Sequence, residues 1–122
     1  MTMKRLVIAC ALGLTAATAN AQAPDGQQAF NNSCRTCHTV KEGDNRQGPT
    51  LHGVVGRKAG IVEGYAFSSS MTQAGLTWDE ATLDKFIEAP DQVVSGNAMK
   101  PYGGIADAAQ RKAIVEYLKQ VK

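Results

Sequence analysis

"NNSCRTCHTV", residues 31–40, carries Cys34, Cys37 and His38 as C-x-x-C-H, and the reading of this stretch decides the fold. The only other cysteine of the chain is Cys10, close to the start. A disulfide between Cys34 and Cys37 would close a very small loop and constrain little. A thioredoxin-like C-x-x-C follows a strand and opens a helix; here the pair stands toward the end of a helical segment. Structural zinc wants four ligands. Downstream of Cys10 the chain offers Cys34, Cys37, His38 and His52, and adjacent Cys37 and His38 fit one tetrahedron poorly.

The chemistry that remains is covalent haem attachment. Two thiols add to two vinyl groups along one edge of a macrocycle, and spacing on one helical turn puts both sulfurs on the same side. The next residue then projects its imidazole toward the iron. The expected cofactor is one haem c, with Cys34 and Cys37 as attachment points and His38 as an axial ligand. The second axial position has three candidates: Met71, Met99 and His52. Met99 lies in "SGNAMKPYGG", a loop turned by glycine and proline 61 residues after His38, far enough to pass round a ring edge. Met71 follows a run of serines and reads equally as a core methionine. His52 sits in a glycine-bounded loop, 14 residues from His38. Met/His pairs are used in this cofactor class and raise the reduction potential, so Met99 is the expected metal ligand beside His38.

The start of the chain reads as a secretory leader. Lys4 and Arg5 precede the apolar run Leu6–Leu14, and Ala19-Asn20-Ala21 fits the cleavage pattern. Residues 1–21 are therefore expected to be removed and residues 22–122 to form one domain exported to the periplasm. A lipoprotein signal at Cys10 fits less well, because apolar sequence continues beyond it. The apolar run is too short for a permanent span, so no stable membrane insertion is expected. Of 13 Lys+Arg and 11 Asp+Glu in the whole chain, the leader removes two basic residues and no acidic one. The remainder is neutral, without the basic patch that nucleic-acid binding requires.

Three segments carry helix-start signals. Asp25 stands three before Gln28, Thr77 three before Glu80, and Asp107 three before Gln110. The first helix runs into the cysteines with Ala29, Phe30, Cys34 and Cys37 inward. The second places Leu83, Phe86 and Ile87 on one stripe and ends at Pro90. The last repeats Ala113, Ile114, Tyr117, Leu118 and Val121 at helical spacing. Between them, residues 41–64 hold six glycines and no convincing strand. The expectation is an all-α domain whose long loops wrap around something larger than a side chain.

The chain resembles the class I c-type cytochromes, the mitochondrial cytochrome c and bacterial cytochrome c2 group. The resemblance rests on "CRTCHTV", "GPTLHGVVGRKAG", "GYAFS", "GLTWDEATLDKFIEAP" and "AIVEYLK", in order and covering nearly all of the chain after the leader. It implies a small cytochrome c fold, three main helices plus long loops around one covalent haem. It also implies roles for further residues. Pro49 matches the proline whose carbonyl accepts a bond from the ligand histidine. Arg57, Tyr65 and Trp78 match cofactor-binding positions near the propionates. Gly26, Phe30, Ile114 and Tyr117 match the crossing of first and last helices.

The sequence departs from that pattern in places. Phe86 and Phe67 replace tyrosines, and Met71 replaces an asparagine, which implies a drier pocket. Asp91, Gln92 and Ala98 occupy places where mitochondrial members carry lysines; Arg35 and Lys100 remain as candidate contacts. The function implied is that of an electron carrier, not an enzyme, working as a monomer with redox partner proteins such as a membrane reductase and an oxidase. Docking is expected through an apolar rim near Tyr102 and Ile105, with weak salt dependence. The alternative is a haem protein with a labile methionine ligand, acting as peroxidase or small-gas binder. A haem-free thiol oxidoreductase is a third reading.

Overall fold

The computed structural model describes residues 23–122, together with residues 11, 13 and 14. The other positions, which hold Cys10, the expected cleavage site and most of the expected leader, lie outside the described residues. Five helices follow in order: α1 (Gly26–Ser33), α2 (Ser69–Gln73), α3 (Glu80–Glu88), α4 (Pro90–Val93) and α5 (Ala108–Lys119). The only pairing of strand type among the described residues is an isolated bridge between Lys58 and Thr77. No described helix is long and apolar enough to cross a membrane.

The expected helix starts hold at two of three places. Asp25 caps α1 by accepting from the Gln28 amide at 3.0 Å, and Asp107 caps α5 by accepting from the Ala109 amide at 2.9 Å. The middle start is corrected. Helix α3 begins at Glu80, and its cap is Asp79, which accepts from the Thr82 amide at 2.7 Å. Thr77 is instead held in the bridge to Lys58, and the adjacent Trp78 amide donates to the Arg57 carbonyl at 2.8 Å. That pairing keeps Thr77 extended, so the first free side-chain acceptor becomes the cap.

Pro90 ends α3 as expected and also opens α4 as its first residue, where a missing amide is harmless. Neither α4 nor α2 is anticipated in the sequence reading. Both are short, and α2 depends on Ser68, whose hydroxyl accepts from the Met71 amide at 3.1 Å. The cysteines also sit slightly beyond the expected place. Helix α1 stops at Ser33, Cys34 is its cap, and one further turn is closed by the His38 amide donating to the Cys34 carbonyl at 2.9 Å.

Helices α1 and α5 cross at Gly26, where a methyl group would overlap the Ala113 carbonyl and the Tyr117 side chain. Phe30 meets Tyr117 with ring centroids 5.5 Å apart, and Ile114 is fully buried beneath them. On its other side α5 meets α3 through buried Arg111, whose Nε donates to Asp84 at 2.9 Å while its Nη1 satisfies the Ile105 and Ala106 carbonyls. The long loops hang on this frame by backbone bonds. Gly53 donates to Val121, Gly56 to Trp78, Ala59 to Leu76 and Ile105 to Ile87. Loops with little core of their own are thereby fixed around a central cleft.

Candidate functional site

One cleft gathers residues from the C-x-x-C-H turn, the glycine-rich loop, α2, α3, α5 and the Met99 loop. Its lining is mostly apolar: Leu51, Val54, Met71, Trp78, Leu83, Phe86, Ile87 and Leu118 contribute, with Cys37, His38 and Met99 among them. Long-range packing thus brings the C-x-x-C-H turn and the Met99 loop to one cavity.

His38 is buried, and its Nδ1 lies 2.8 Å from the Pro49 carbonyl oxygen. A carbonyl only accepts, so Nδ1 carries the proton and Nε2 keeps its lone pair. Burial holds the imidazole below its usual titration range; the bond to Pro49 opposes this, and the Arg57 charge adds to it. The ring is therefore a neutral, oriented donor. Gly48 packs flat against it, and a methyl group there would overlap the imidazole ring atoms. Sequence reading passed over Gly48, although its place directly before Pro49 in "GPTLHG" is a signal of close approach.

Cys34 and Cys37 are both free and half-buried. Burial pushes the Cys34 thiol up to about 11, and the nearby Cys37 adds to the effect. The Cys37 sulfur lies 3.4 Å from the Gln47 side-chain oxygen.

The three residues expected near the propionates all line the cleft, and each has further partners. Arg57 donates through Nη1 to the His52 carbonyl at 2.8 Å and through Nη2 to the Thr50 carbonyl at 3.0 Å. Its Nε is buried without a partner. An orphaned cationic donor in an otherwise apolar cleft fits an anionic group such as a propionate. Tyr65 directs its hydroxyl to the Gln47 carbonyl at 2.6 Å and packs edge-on against Phe67 at 4.7 Å. Trp78 is buried against Phe86 with centroids 4.9 Å apart.

The other two axial candidates separate clearly. His52 binds the Val40 carbonyl through Nδ1 at 3.1 Å and is not among the lining residues. Met71 is buried and lines the cleft, as Met99 does. An apolar cleft, an oriented imidazole, two thiols and a thioether together fit a covalently held metal macrocycle.

Comparison with known proteins agrees. The cytochrome c family model matches residues 23–122. Cytochrome c2 iso-2 of Magnetospirillum molischianum is 46% identical over 89 residues, covering 73% of this chain and 91% of that protein. Cytochrome c of Gibberella zeae is 41% identical over 95 residues, covering 77% and 89%. The solved structure of cytochrome cH from Methylobacterium extorquens superposes with a TM-score of 0.71 at 43% identity, covering 77% of this chain and 93% of that one.

Proposed function

We propose, from the premise that this chain belongs to the cytochrome c family, that it is a periplasmic one-electron carrier with His38 and Met99 as axial ligands. Family membership alone makes it an electron carrier with one covalent haem c and not an enzyme. The observation that carries the finer reading is the 2.8 Å bond from His38 Nδ1–H to the Pro49 carbonyl, which leaves Nε2 as the free nitrogen in a cleft that Met99 also lines.

When bound, the haem supplies an iron that accepts and returns one electron. The residues of this chain hold and tune it. Cys34 and Cys37 tether it, so that it does not depart between electron transfers. The Pro49 carbonyl fixes the His38 tautomer and strengthens its donor character. Met99 offers a soft neutral sulfur, which favours the reduced iron and raises the potential. His38 and Met99 would then both be donors from the protein, and no substrate would need to bind the metal. Phe86, Trp78, Leu83 and Ile87 exclude water from the cleft. Arg57 offsets buried negative charge through its unpartnered Nε.

Residues 1–21 act as the export leader on this reading, and residues 22–122 are the working domain. Partners are redox proteins that meet the domain as a monomer at the rim near Tyr102 and Ile105. Lys100 beside this rim is tied to Asp91 at 2.6 Å, which offsets its charge for steering. The labile-ligand reading draws on Phe86, which lacks a hydroxyl to hold a methionine sulfur. The test is the far-red absorption of the oxidised haem-loaded protein. Its presence near neutral pH, lost in Met99→Ala and kept in Met71→Ala, is expected. Its absence in the native protein, with fast cyanide binding, would favour the peroxidase or gas-binding alternative.

A further inference from the structure

The loop that delivers Met99 has no regular structure, yet it is tied down on both sides of that residue. Asn97 is buried at 5% exposure. Its side-chain nitrogen donates to Asp91 Oδ1 at 2.8 Å and to the Val94 carbonyl at 2.9 Å, while its Oδ1 accepts from the Met99 amide at 3.0 Å. On the far side of Met99, Lys100 Nζ donates to both Asp91 oxygens at 2.6 and 2.8 Å. One carboxylate on α4 therefore grips the residues flanking Met99. By contrast, Met71, Leu83, Phe86 and Ile87, which line the same cleft, carry no hydroxyl or N–H on their side chains, and the Tyr65 and Tyr102 hydroxyls that also line it donate to the Gln47 and Ile87 carbonyls.

We propose that Asp91 and Asn97 are positioning residues that hold Met99 in place through its backbone. The proposal rests on Met99 being the sixth ligand. Its two arms are unequal. The exposed pair between Asp91 and Lys100 is weak alone, because water screens it. Asn97 matters more: swinging Met99 out of the cleft breaks bonds to a buried amide, and a buried polar group left unpaired resists that motion. The bracket therefore keeps the loop closed and limits access of outside ligands to the iron.

Two measurements on the haem-loaded protein test this: the rate of imidazole binding to the oxidised iron, and hydrogen exchange at the Met99 amide. Asp91→Ala should speed both by roughly three- to tenfold, and Asn97→Ala by about tenfold or more, the scale of one lost hydrogen bond. Asp91→Asn, which keeps an oxygen acceptor for Asn97, should stay within about twofold of the native protein on the same scale. Amides of α5 should exchange at native rates in all three. Native behaviour of Asp91→Ala in both measurements would overturn the proposal, and so would an Asp91→Asn as impaired as Asp91→Ala. Failure of the ligand assignment has a separate signature. A far-red band that survives Met99→Ala removes Met99 as ligand, while exchange at its amide still reports the bracket.

Discussion

At the scale of single residues, the site depends on how tightly the imidazole of His38 is enclosed. Pro49 fixes one nitrogen, and the absence of a side chain at Gly48 lets the backbone lie against the ring. Gly48→Ala should therefore push the ring aside, at a cost of about 1–3 kcal/mol, the usual range for overpacking a filled interior. Chemical denaturation and the yield of haem-loaded protein would both register it; native values in both would mean that the backbone relaxes freely. The attachment motif was legible in the sequence because that chemistry demands particular atoms at a fixed spacing. Cys34, Cys37 and His38 could be named on that ground, whereas Met99 was preferred to Met71 and His52 from the use of Met/His pairs in this cofactor class and stays a proposal. Asn97 and Asp91 could not, and Gly48 was signalled only by its place before Pro49. The contacts of Asn97 and Asp91 span only two to nine residues, but they arise from how a loop without regular structure folds back on itself, and an asparagine after a glycine signals a turn without saying what the turn holds.

At the scale of elements, capping chemistry located α1 and α5, and misplaced the start of α3. Two acceptors, Thr77 and Asp79, stand near that start, and a tertiary pairing with Lys58 decides between them. Asp79→Ala should lower Tm by a few degrees, the usual scale of a lost N-cap, whereas Thr77→Ala should move it much less. A Thr77→Ala as damaging as Asp79→Ala would restore the earlier start. The effect should also depend on pH. The bonds from Thr82 hold the Asp79 carboxyl below its ordinary value. A depressed folded value means the unfolded chain binds the proton more readily, so the contribution is complete above about pH 4 and fades as pH falls further. Thermal melts across that range should converge for native and Asp79→Ala proteins in acid. The short helices α2 and α4 left little trace in the sequence because each is too short to show a period. The inward stripe of α5 was clear, yet buried Arg111 was not. Its burial is sustained by Asp84 on another helix, 27 residues away, and by two carbonyls of the preceding loop.

At the scale of the whole molecule, long loops surround one large apolar cleft, and the fold makes sense only around a bulky partner held within it. Residues 22–122 carry as many acidic as basic residues, and Lys100 at the rim is paired with Asp91. Electron-transfer rates with a partner should therefore change only slightly as ionic strength rises; a steep fall would show that charge, and not an apolar rim, guides docking. The central claim is that a single haem is bonded to both Cys34 and Cys37. Denaturing mass spectrometry of the exported protein, treated with an alkylating reagent, tests it most directly. The account predicts the mass of residues 22–122 plus one haem, with neither thiol alkylated. A folded protein at the bare polypeptide mass, with both cysteines alkylated, would contradict it.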